Sequence, residues 1–431
     1  MLHLNASSIG KSLTIPNDAA AARTVDGKLE TGASALVALM SVSLLINYID
    51  RGNLATWATQ IRSDLSLNAT AYSLLLSAFY FSYTLCQLPA GALADRFGGK
   101  LVLGVGAALW SVSTFLTGFV SGFASLVVLR MMLGMGESVA FSTTSKIIAA
   151  NVPADRIGLA NGIIGFGYLV GPAIGIYVGG NLLAGWGWRN VFILFGVLSL
   201  LWLLPWSRVR LKHEAKSAGA QVQVPLRAIL RRRELWGASL GHFAGNWNWY
   251  FILGYMPMYL EMGRGFSKEQ MAWVVSWAYL VNALAALAGG YLIDRAIRRG
   301  TSATRAYKFP MVLAHVAGLA CMVAMPALPI GWCIACLFVY EIFLGFSSPG
   351  YFAIPQMLAG PQAAARWVGL QNMIGNLPGI IGTIFAGVLI DAGSGDYGTA
   401  FLIAGAVNVL GLLGWLVILP KIRPIDWQAA R

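Results

Sequence analysis

Twelve apolar segments, each of roughly 18 or more residues and so long enough to cross a bilayer, constrain this chain more than any other feature. They run over about 34–54, 70–91, 100–119, 122–149, 157–181 and 189–206, then over about 237–260, 270–292, 306–326, 330–354, 366–390 and 399–420. Only 11% of the residues are charged and 57% are hydrophobic, with a mean hydropathy of +0.67. A soluble domain carries about 25% charged residues. The 431 residues therefore divide into spanning helices rather than soluble domains. The expected fold class is all-α integral membrane, with 12 transmembrane helices in two pseudo-symmetric six-helix bundles.

The basic residues give direction. Lys and Arg number 30 against 17 Asp and Glu, a formal net charge of +13, and they cluster in connections between apolar segments. That is the pattern of the positive-inside rule, with the lipid bilayer as partner, and not of a nucleic-acid binder. One set of connections holds Arg96, Lys100, Lys146, Arg156, Arg295, Arg298, Arg299, Arg305, Lys308 and Arg366. The opposite set holds only Arg62, Arg264 and Lys268 beyond its helix ends. Both termini are thus expected in the cytoplasm, in a multi-pass protein of the inner (cell) membrane.

The long connection from Arg208 to Glu234, with its Arg231-Arg232-Arg233 run, divides the helices six and six. The expected organisation is a cytoplasmic tail over 1–32, an N-terminal bundle over 33–206, a cytoplasmic linker over 207–235, a C-terminal bundle over 236–420 and a cytoplasmic tail over 421–431. The first thirty residues are polar and lack an apolar core, so they read as a disordered tail with no cleaved signal peptide. Cys86, Cys321, Cys333 and Cys336 all lie in apolar stretches, and no disulfide framework, metal site or cofactor follows from them.

Two stretches repeat across the divide. Leu88–Lys100, which holds Asp95-Arg96, matches Ala288–Gly300, which holds Asp294-Arg295, and Asp155-Arg156-Ile157-Gly158 matches Ala365-Arg366-Trp367-Val368-Gly369. Both copies lie about 200 residues downstream, which argues for two homologous halves, the plan of some secondary transporters. Gly91-x-Leu93-Ala94-Asp95-Arg96-Phe97-Gly98-Gly99-Lys100, following the second helix, resembles the loop signature of the major facilitator superfamily. Asn47-Tyr48-Ile49-Asp50-Arg51 in the first helix and Arg130-x6-Glu137-Ser138 in the fourth are similar to its anion:cation symporter family, which includes bacterial sugar-acid and carboxylate transporters. His242-Phe243-x-x-Asn246-Trp247-x-Trp249-Tyr250 in the seventh helix and the closing Pro420–Trp427 stretch are similar to the same family.

The resemblance covers the chain from about residue 35 to the end. It implies the major facilitator fold and proton-coupled symport of a small organic anion, a sugar acid or other carboxylate, by alternating access in a monomer. In the resembled sugar-acid symporters the residues matching Asp50 and Glu137 are proton-coupling groups, and the one matching Arg51 lies near the substrate. Those roles are implied here, together with a substrate-facing Tyr83 and, from the same motif as Asp50, Tyr48. Tyr168 stands where those symporters often have a glutamine, which admits a more apolar or aromatic acid.

Charges at membrane depth are few. Each costs at least ~2.5 kcal/mol there and normally faces a polar cavity or a partner. Asp50 and Arg51 are consecutive, about 100° apart on a helix, and cannot make the same contact. Arg51 reads as an anion ligand or, alternatively, as an anchor snorkelling to the interface. Arg130 and Glu137 lie two turns apart on one helical face, so Arg130 can meet an anion while Glu137 titrates. Burial disfavours an ionised carboxyl and a cation favours it, and an anion competing for the arginine would change that balance. The alternative is a structural ion pair that pins the fourth helix to the first.

Tyr80, Tyr83 and Gln87 form a polar stripe on the second helix. Asn246, Asn248 and Tyr250 on the seventh are candidates for substrate contact, with Trp247 and Trp249 read as packing. Gln371, Asn372 and Asn376 on the eleventh, and Ser347 and Ser348 beside Pro349 on the tenth, are their C-half counterparts. Asp95, Arg96, Asp294 and Arg295 are expected to gate rather than bind. Glu341 is either a second titrating site or a neutral packing residue. His242 and His315 read as helix residues.

Other readings are an exporter of drugs or metabolites with the same fold, or sodium- or phosphate-coupled anion transport. Arg51 and Arg130 favour an anion. A membrane enzyme would need a nucleophile or His/Asp constellation, and His3, His213, His242 and His315 form none.

Overall fold

The structure, a computed structural model, describes residues 31–67, 69–178, 184–211, 224–392 and 397–427. The expected N-terminal tail through residue 30, the middle of the linker over 212–223 and residues 428–431 lie outside the described residues. Among the described residues there are helices and turns and no strand. In the first half α1 is Thr31–Thr56, α2 Ala69–Phe97, α3 Gly99–Thr117, α4 Phe123–Asn151, α5 Ile157–Tyr177 and α6 Gly187–Leu201. In the second, α7 is Arg233–Met258, α8 Lys268–Arg298 and α9 Ala303–Ala324. There α10 begins as Ile330–Ser347 and runs on through 350–359, α11 spans 361–392 and α12 is Gly398–Leu413.

Local sequence sets these boundaries. Gly360 adopts φ +61, a conformation side chains disfavour, and Pro361 follows it, so the backbone breaks between α10 and α11. A capping box starts α8: Ser267 Oγ accepts from the Gln270 amide at 3.2 Å, and Gln270 Oε1 accepts from the Ser267 amide at 3.0 Å. Nine stretches among the described residues are long and apolar enough to cross a membrane, and one of them, Ile330–Gly382, contains both α10 and most of α11. The helices below that threshold are α2 and α7. Their apolar runs are interrupted by Tyr80, Tyr83 and Gln87 in one and by His242, Asn246 and Asn248 in the other.

The packing repeats between halves. Helix α1 packs on α5 as α7 packs on α11, α2 on α4 as α8 on α10, and α3 on α6 as α9 on α12. The halves meet through α2 against α11 and through α5 against α8, again a matched pair, with α4 against the second part of α10 between them. Small residues allow these crossings. A Cβ on Gly91 of α2 would lie 2.5 Å from the Ala365 carbonyl oxygen of α11, and one on Gly290 of α8 would run into the Gly158 carbonyl of α5. Such close backbone approach is how membrane helices gain packing energy without a hydrophobic drive.

Both contacts lie at the end of the molecule that carries the linker. There Asn161 of α5 donates through Nδ2 to Gln356 Oε1 at 2.7 Å, and Gln356 Nε2 donates to Asn161 Oδ1 and to Ser145 Oγ of α4, each at 3.1 Å. The C-terminal segment closes over the same end, with the Trp427 indole N–H donating to the Ala359 carbonyl at 2.9 Å. At the far end, among the described residues, Trp188 Nε1 and Arg189 Nη1 donate to Asp64 within one half, at 2.8 and 2.9 Å. Overpacking a tight contact costs about 1–3 kcal/mol, so Gly290→Val is expected to open the linker end by about tenfold or more. Maleimide labelling of a Ser145→Cys reporter, buried at that interface, checks this; an unchanged labelling rate would show that the α5–α8 contact does not hold the halves together.

Candidate functional site

A cavity of about 60 Å³ lies between the halves. It is lined by Tyr48, Tyr83, Phe141 and Tyr168 on one side and by His242, Asn246, Trp249, Tyr250, Asn282, Ser348, Tyr351, Phe352, Asn372 and Asn376 on the other. By this measure one water needs about 10–15 Å³, so the space holds a few waters and the halves are nearly closed upon it. Its polar groups are tied to one another. Tyr250 donates to Asn376 Oδ1 at 2.6 Å, Asn376 Nδ2 to the Asn372 carbonyl at 2.7 Å, and Asn372 Nδ2 to Gln87 Oε1 of the opposite half at 2.5 Å. Asn246 Nδ2 donates to the Gly375 carbonyl at 2.7 Å, and the Tyr168 and Ser348 hydroxyls are 3.1 Å apart across the halves. Gly375 and Gly379 leave room on α11 for the His242 and Tyr250 rings of α7, where a Cβ would sit 2.9 and 3.0 Å from them.

The charges stand behind the aromatic wall. Arg51 Nε donates to Glu137 Oε2 at 2.9 Å, and its Nη2 donates to Asn47 Oδ1 at 3.1 Å. The same guanidinium lies over the Tyr48 and Tyr83 rings, 4.3 and 4.4 Å from their centres, so two cavity walls rest on the cation. Arg130 lies 4.9 Å over the Phe79 ring and is 3% exposed, and its Nε and Nη1 are buried with no hydrogen-bond partner. Asp50 Oδ2 accepts from Ser199 Oγ at 3.0 Å, while Asp50 Oδ1 and Glu137 Oε1 are buried without one.

At the linker end Asp95 of α2 is held from two sides. Lys146 Nζ donates to Oδ1 at 3.0 Å, and Arg366 Nε of the opposite half lies 3.2 Å from Oδ2. Asp294 of α8 accepts the amides of Gly158 and Leu159 at 2.9 and 2.6 Å, so a C-half carboxylate sits at the first turn of an N-half helix, where unpaired amides and the helix dipole favour negative charge.

A family model for the Major Facilitator Superfamily matches residues 40–383. The chain belongs to the major facilitator superfamily. It is a transporter, a multi-pass membrane protein and not an enzyme. Among curated relatives it is similar to a probable sulfoacetate transporter of Cupriavidus necator, 29% identical over 406 residues, which cover 89% of this chain and 93% of that one. It is also similar to the hexuronate transporter of Bacillus subtilis, 27% identical with 90% and 94% covered, and to the chloroplast ascorbate transporter of Arabidopsis thaliana, 28% identical with 88% and 73% covered. Among solved structures it shares its fold with a proton:xylose symporter, with a TM-score of 0.74, 15% identity and coverage of 91% of this chain and 97% of that one. The Escherichia coli fucose:proton symporter gives a TM-score of 0.72 at 15% identity, with 89% and 98% covered.

In this superfamily member the residues singled out in the sequence gather unevenly about the cavity. Tyr48, Tyr83, Tyr168, Asn246, Tyr250, Asn372 and Asn376 line it. Arg51 and Gln87 touch lining residues, and Gln371 Nε2 donates to the carbonyl of another, Tyr351, at 2.8 Å. Ser347 is fully buried and turned away, its hydroxyl donating back to the Leu344 carbonyl at 2.8 Å, and the adjacent Ser348 faces the cavity instead. Glu137 pairs with Arg51 and not with Arg130. Seven residues of one helix put about 10 Å between two side chains on the same face, so the partner comes from α1. Arg51 accordingly does not snorkel in this structure, and its ion pair is the one that ties α4 to α1.

Of the expected gate, Asp95 and Asp294 cross between the halves. Arg96 and Arg295 are exposed, Arg96 lying 5.1 Å over Phe97, because one residue's turn on a helix points them away. Lys146 and Arg366, read only as topological charges, are the partners of Asp95. His242, Trp249, Asn282, Tyr351 and Phe352 line the cavity without having been singled out for it. The signal was present for His242 and Asn282, polar side chains in apolar helices.

Removing one partner of a buried pair leaves the other uncompensated, at a cost of about 3–5 kcal/mol. Arg51→Ala is therefore expected to lower stability by about that much, and Glu137→Gln added to it should restore most of the loss. Thermal and denaturant unfolding in detergent of the two single variants and the double variant checks this; additive losses would show that the two side chains are not coupled.

Proposed function

We propose that this transporter is a proton-coupled symporter of a small organic anion, a sugar acid or other carboxylate, working by alternating access. The observation that carries the reading is Arg130, a buried guanidinium with two unpartnered donors set beside the Arg51–Glu137 pair. A buried cation with free donors is an anion site in waiting, since guanidinium geometry matches a carboxylate with two parallel hydrogen bonds. An anion that also draws on Arg51 weakens that arginine's hold on Glu137, which then takes up a proton. Asp50, beside Arg51 in sequence, is the second proton-coupling acid. The names of relatives that handle sulfoacetate, hexuronate and ascorbate, all anions at neutral pH, support the same substrate class.

Tyr48, Tyr83, Tyr168, Asn246, Tyr250, Asn372 and Asn376 contact the body of the substrate in this reading, with Gln87, Gln371 and Ser347 as support behind them. The aromatic share of that wall suits an acid with an apolar or ring-shaped body. The linker end faces the cytoplasm, the positive-inside side, and its closure makes this the outward-facing or occluded form. Asp95, held by Lys146 and Arg366, and Asp294, at the Gly158 and Leu159 amides, lock that closure, Arg96 and Arg295 point away from it, and each half moves as a unit in a monomer.

Three measurements test the reading. Glu137→Gln should abolish gradient-driven accumulation in proteoliposomes while counterflow exchange stays measurable; full concentrative uptake would remove Glu137 from coupling. Arg130→Ala should weaken anion binding by at least ~30-fold, the scale of losing one side of a buried charge contact, with Lys a partial rescue. Uptake by the unaltered protein should be faster at an outside pH of about 5.5–6.5 than at about 8, across the range where a buried carboxyl is protonated from the outside. It should stop when the proton gradient is dissipated and survive replacement of sodium. Uptake that ignores pH and protonophore but follows sodium or phosphate would defeat the coupling assignment.

A further inference from the structure

We propose that Glu341 is a second proton-carrying site, in the C-terminal half, which exchanges its proton with the cavity by way of Asn282. The inference rests on the proton-coupled reading above and extends it to the opposite half. Glu341 lies in α10 and is 0% exposed. Its Oε2 accepts a hydrogen bond from Asn282 Nδ2 of α8, and Asn282 is itself a lining residue of the cavity. The helices approach this closely because Gly345, one turn beyond Glu341, has no side chain where the Asn282 carbonyl lies.

The surroundings separate this acid from the other two. Asp50 and Glu137 sit near Arg51 and Arg130. Glu341 is buried with Asn282 as its hydrogen-bond partner, and among the described residues no Lys or Arg forms an ion pair with it. The titratable groups that face it are two tyrosines, Tyr279 from α8 and Tyr340 on its own helix. Helix α9 packs on the other side of α10, but its His315 is engaged with Asn408 Oδ1 at 3.0 Å. A carboxylate without a cation at this depth is strongly disfavoured, so in the closed form the group carries its proton.

A packing residue would be expected to have its polar atoms satisfied. Here Glu341 Oε1, Asn282 Oδ1 and the Tyr279 hydroxyl are all buried without a partner. Tyr279 meets the cavity-lining Trp249 edge-on, with ring centres 5.4 Å apart, so this unsatisfied cluster stands directly behind the cavity wall. When the cavity widens and water enters past Asn282 to the Glu341 carboxyl, the O–H bond can break with its proton passing to that water, leaving a solvated carboxylate. The reverse transfer on the other side of the cycle restores the acid, one proton moved per turn.

Infrared pH titration of the purified protein in liposomes tests this with no substrate present. A protonated-carboxyl band that titrates between about pH 5 and 9, the window in which most free carboxyls are already ionised, is expected in the unaltered protein. Its amplitude should fall in Glu341→Gln, a variant that keeps the shape and the Asn282 contact, while any part due to Asp50, Glu137 or Asp294 stays. A band should persist in Asp50→Asn/Glu137→Gln/Asp294→Asn, which removes three other buried carboxyls and keeps the test alive should the Glu341 variant fail to fold. Absence of any titrating band in that triple variant overturns the proposal and leaves Glu341 as neutral packing. A band whose midpoint moves when sodium chloride replaces choline chloride also overturns it, in favour of a metal-cation ligand. Because the titration needs neither substrate nor gradient, it fails separately from the coupling reading, which uptake by Glu137→Gln decides.

Discussion

The buried Arg51–Glu137 pair is the interaction on which the rest of the site depends. Charge at membrane depth is tolerated only where it is paired or faces a polar space, and Arg51 and Glu137 meet the first condition. It fixes α1 against α4 at 2.9 Å, and the guanidinium becomes the platform for the Tyr48 and Tyr83 rings. The walls of the cavity are thus set by a contact that an anion can compete for. A purely apolar seam between α1 and α4 would pack as well but would give a ligand no means of altering it.

The same economy governs the linker end. The halves are held there by contacts that are individually modest: an acid shared between a lysine and an arginine, a carboxylate at a helix start, an amide pair, and glycine backbones in near contact. One buried apolar cluster also runs through both halves there, from Ile147 and Ile157 to Ile293, Ile354 and Val368. Hydrogen bonds and charge pairs that can be exchanged for water at similar free energy suit an interface that parts, as the proposed alternating access requires. Because α2 meets α11 as α8 meets α5, both halves release together.

Much of this was legible in the sequence, and what was not follows from the physics of side chains in helical bundles. Helix number and the duplication could be read because apolar length and the Asp95-Arg96 and Asp294-Arg295 copies are local signals. Lining positions such as Tyr83, Asn246 and Asn376 could be read because a polar residue in an apolar helix is costly and therefore placed. Which cation meets which acid could not. Helical spacing puts Arg130 and Glu137 on one face but cannot show that Arg51 of another helix is the one that pairs with Glu137. Asp95 in the same way took partners from α4 and α11, one of them more than 250 residues away. Aromatic wall residues such as Phe141 and Phe352, stacked at 4.6 Å across the halves, look like any other core phenylalanine until the halves are brought together.

The two halves share a backbone plan but not a chemistry, and this asymmetry accounts for how the site can work. The N-half presents ionisable groups, Asp50, Arg51, Arg130 and Glu137, behind tyrosines. The C-half presents neutral amides and hydroxyls, Asn246, Ser348, Asn372 and Asn376, several of them already bonded to backbone or to one another. A charged head is drawn to one side by electrostatics that act over several ångströms. The neutral side, whose hydrogen bonds need contact geometry, can sense only what has been brought against it. On the proposed reading, an anion held first by the N-half arginines reaches the C-half amides only as the halves close, which ties binding of the whole substrate to the conformational step. Were both halves cationic, the anion would be held strongly in every form and its release would become the slow step.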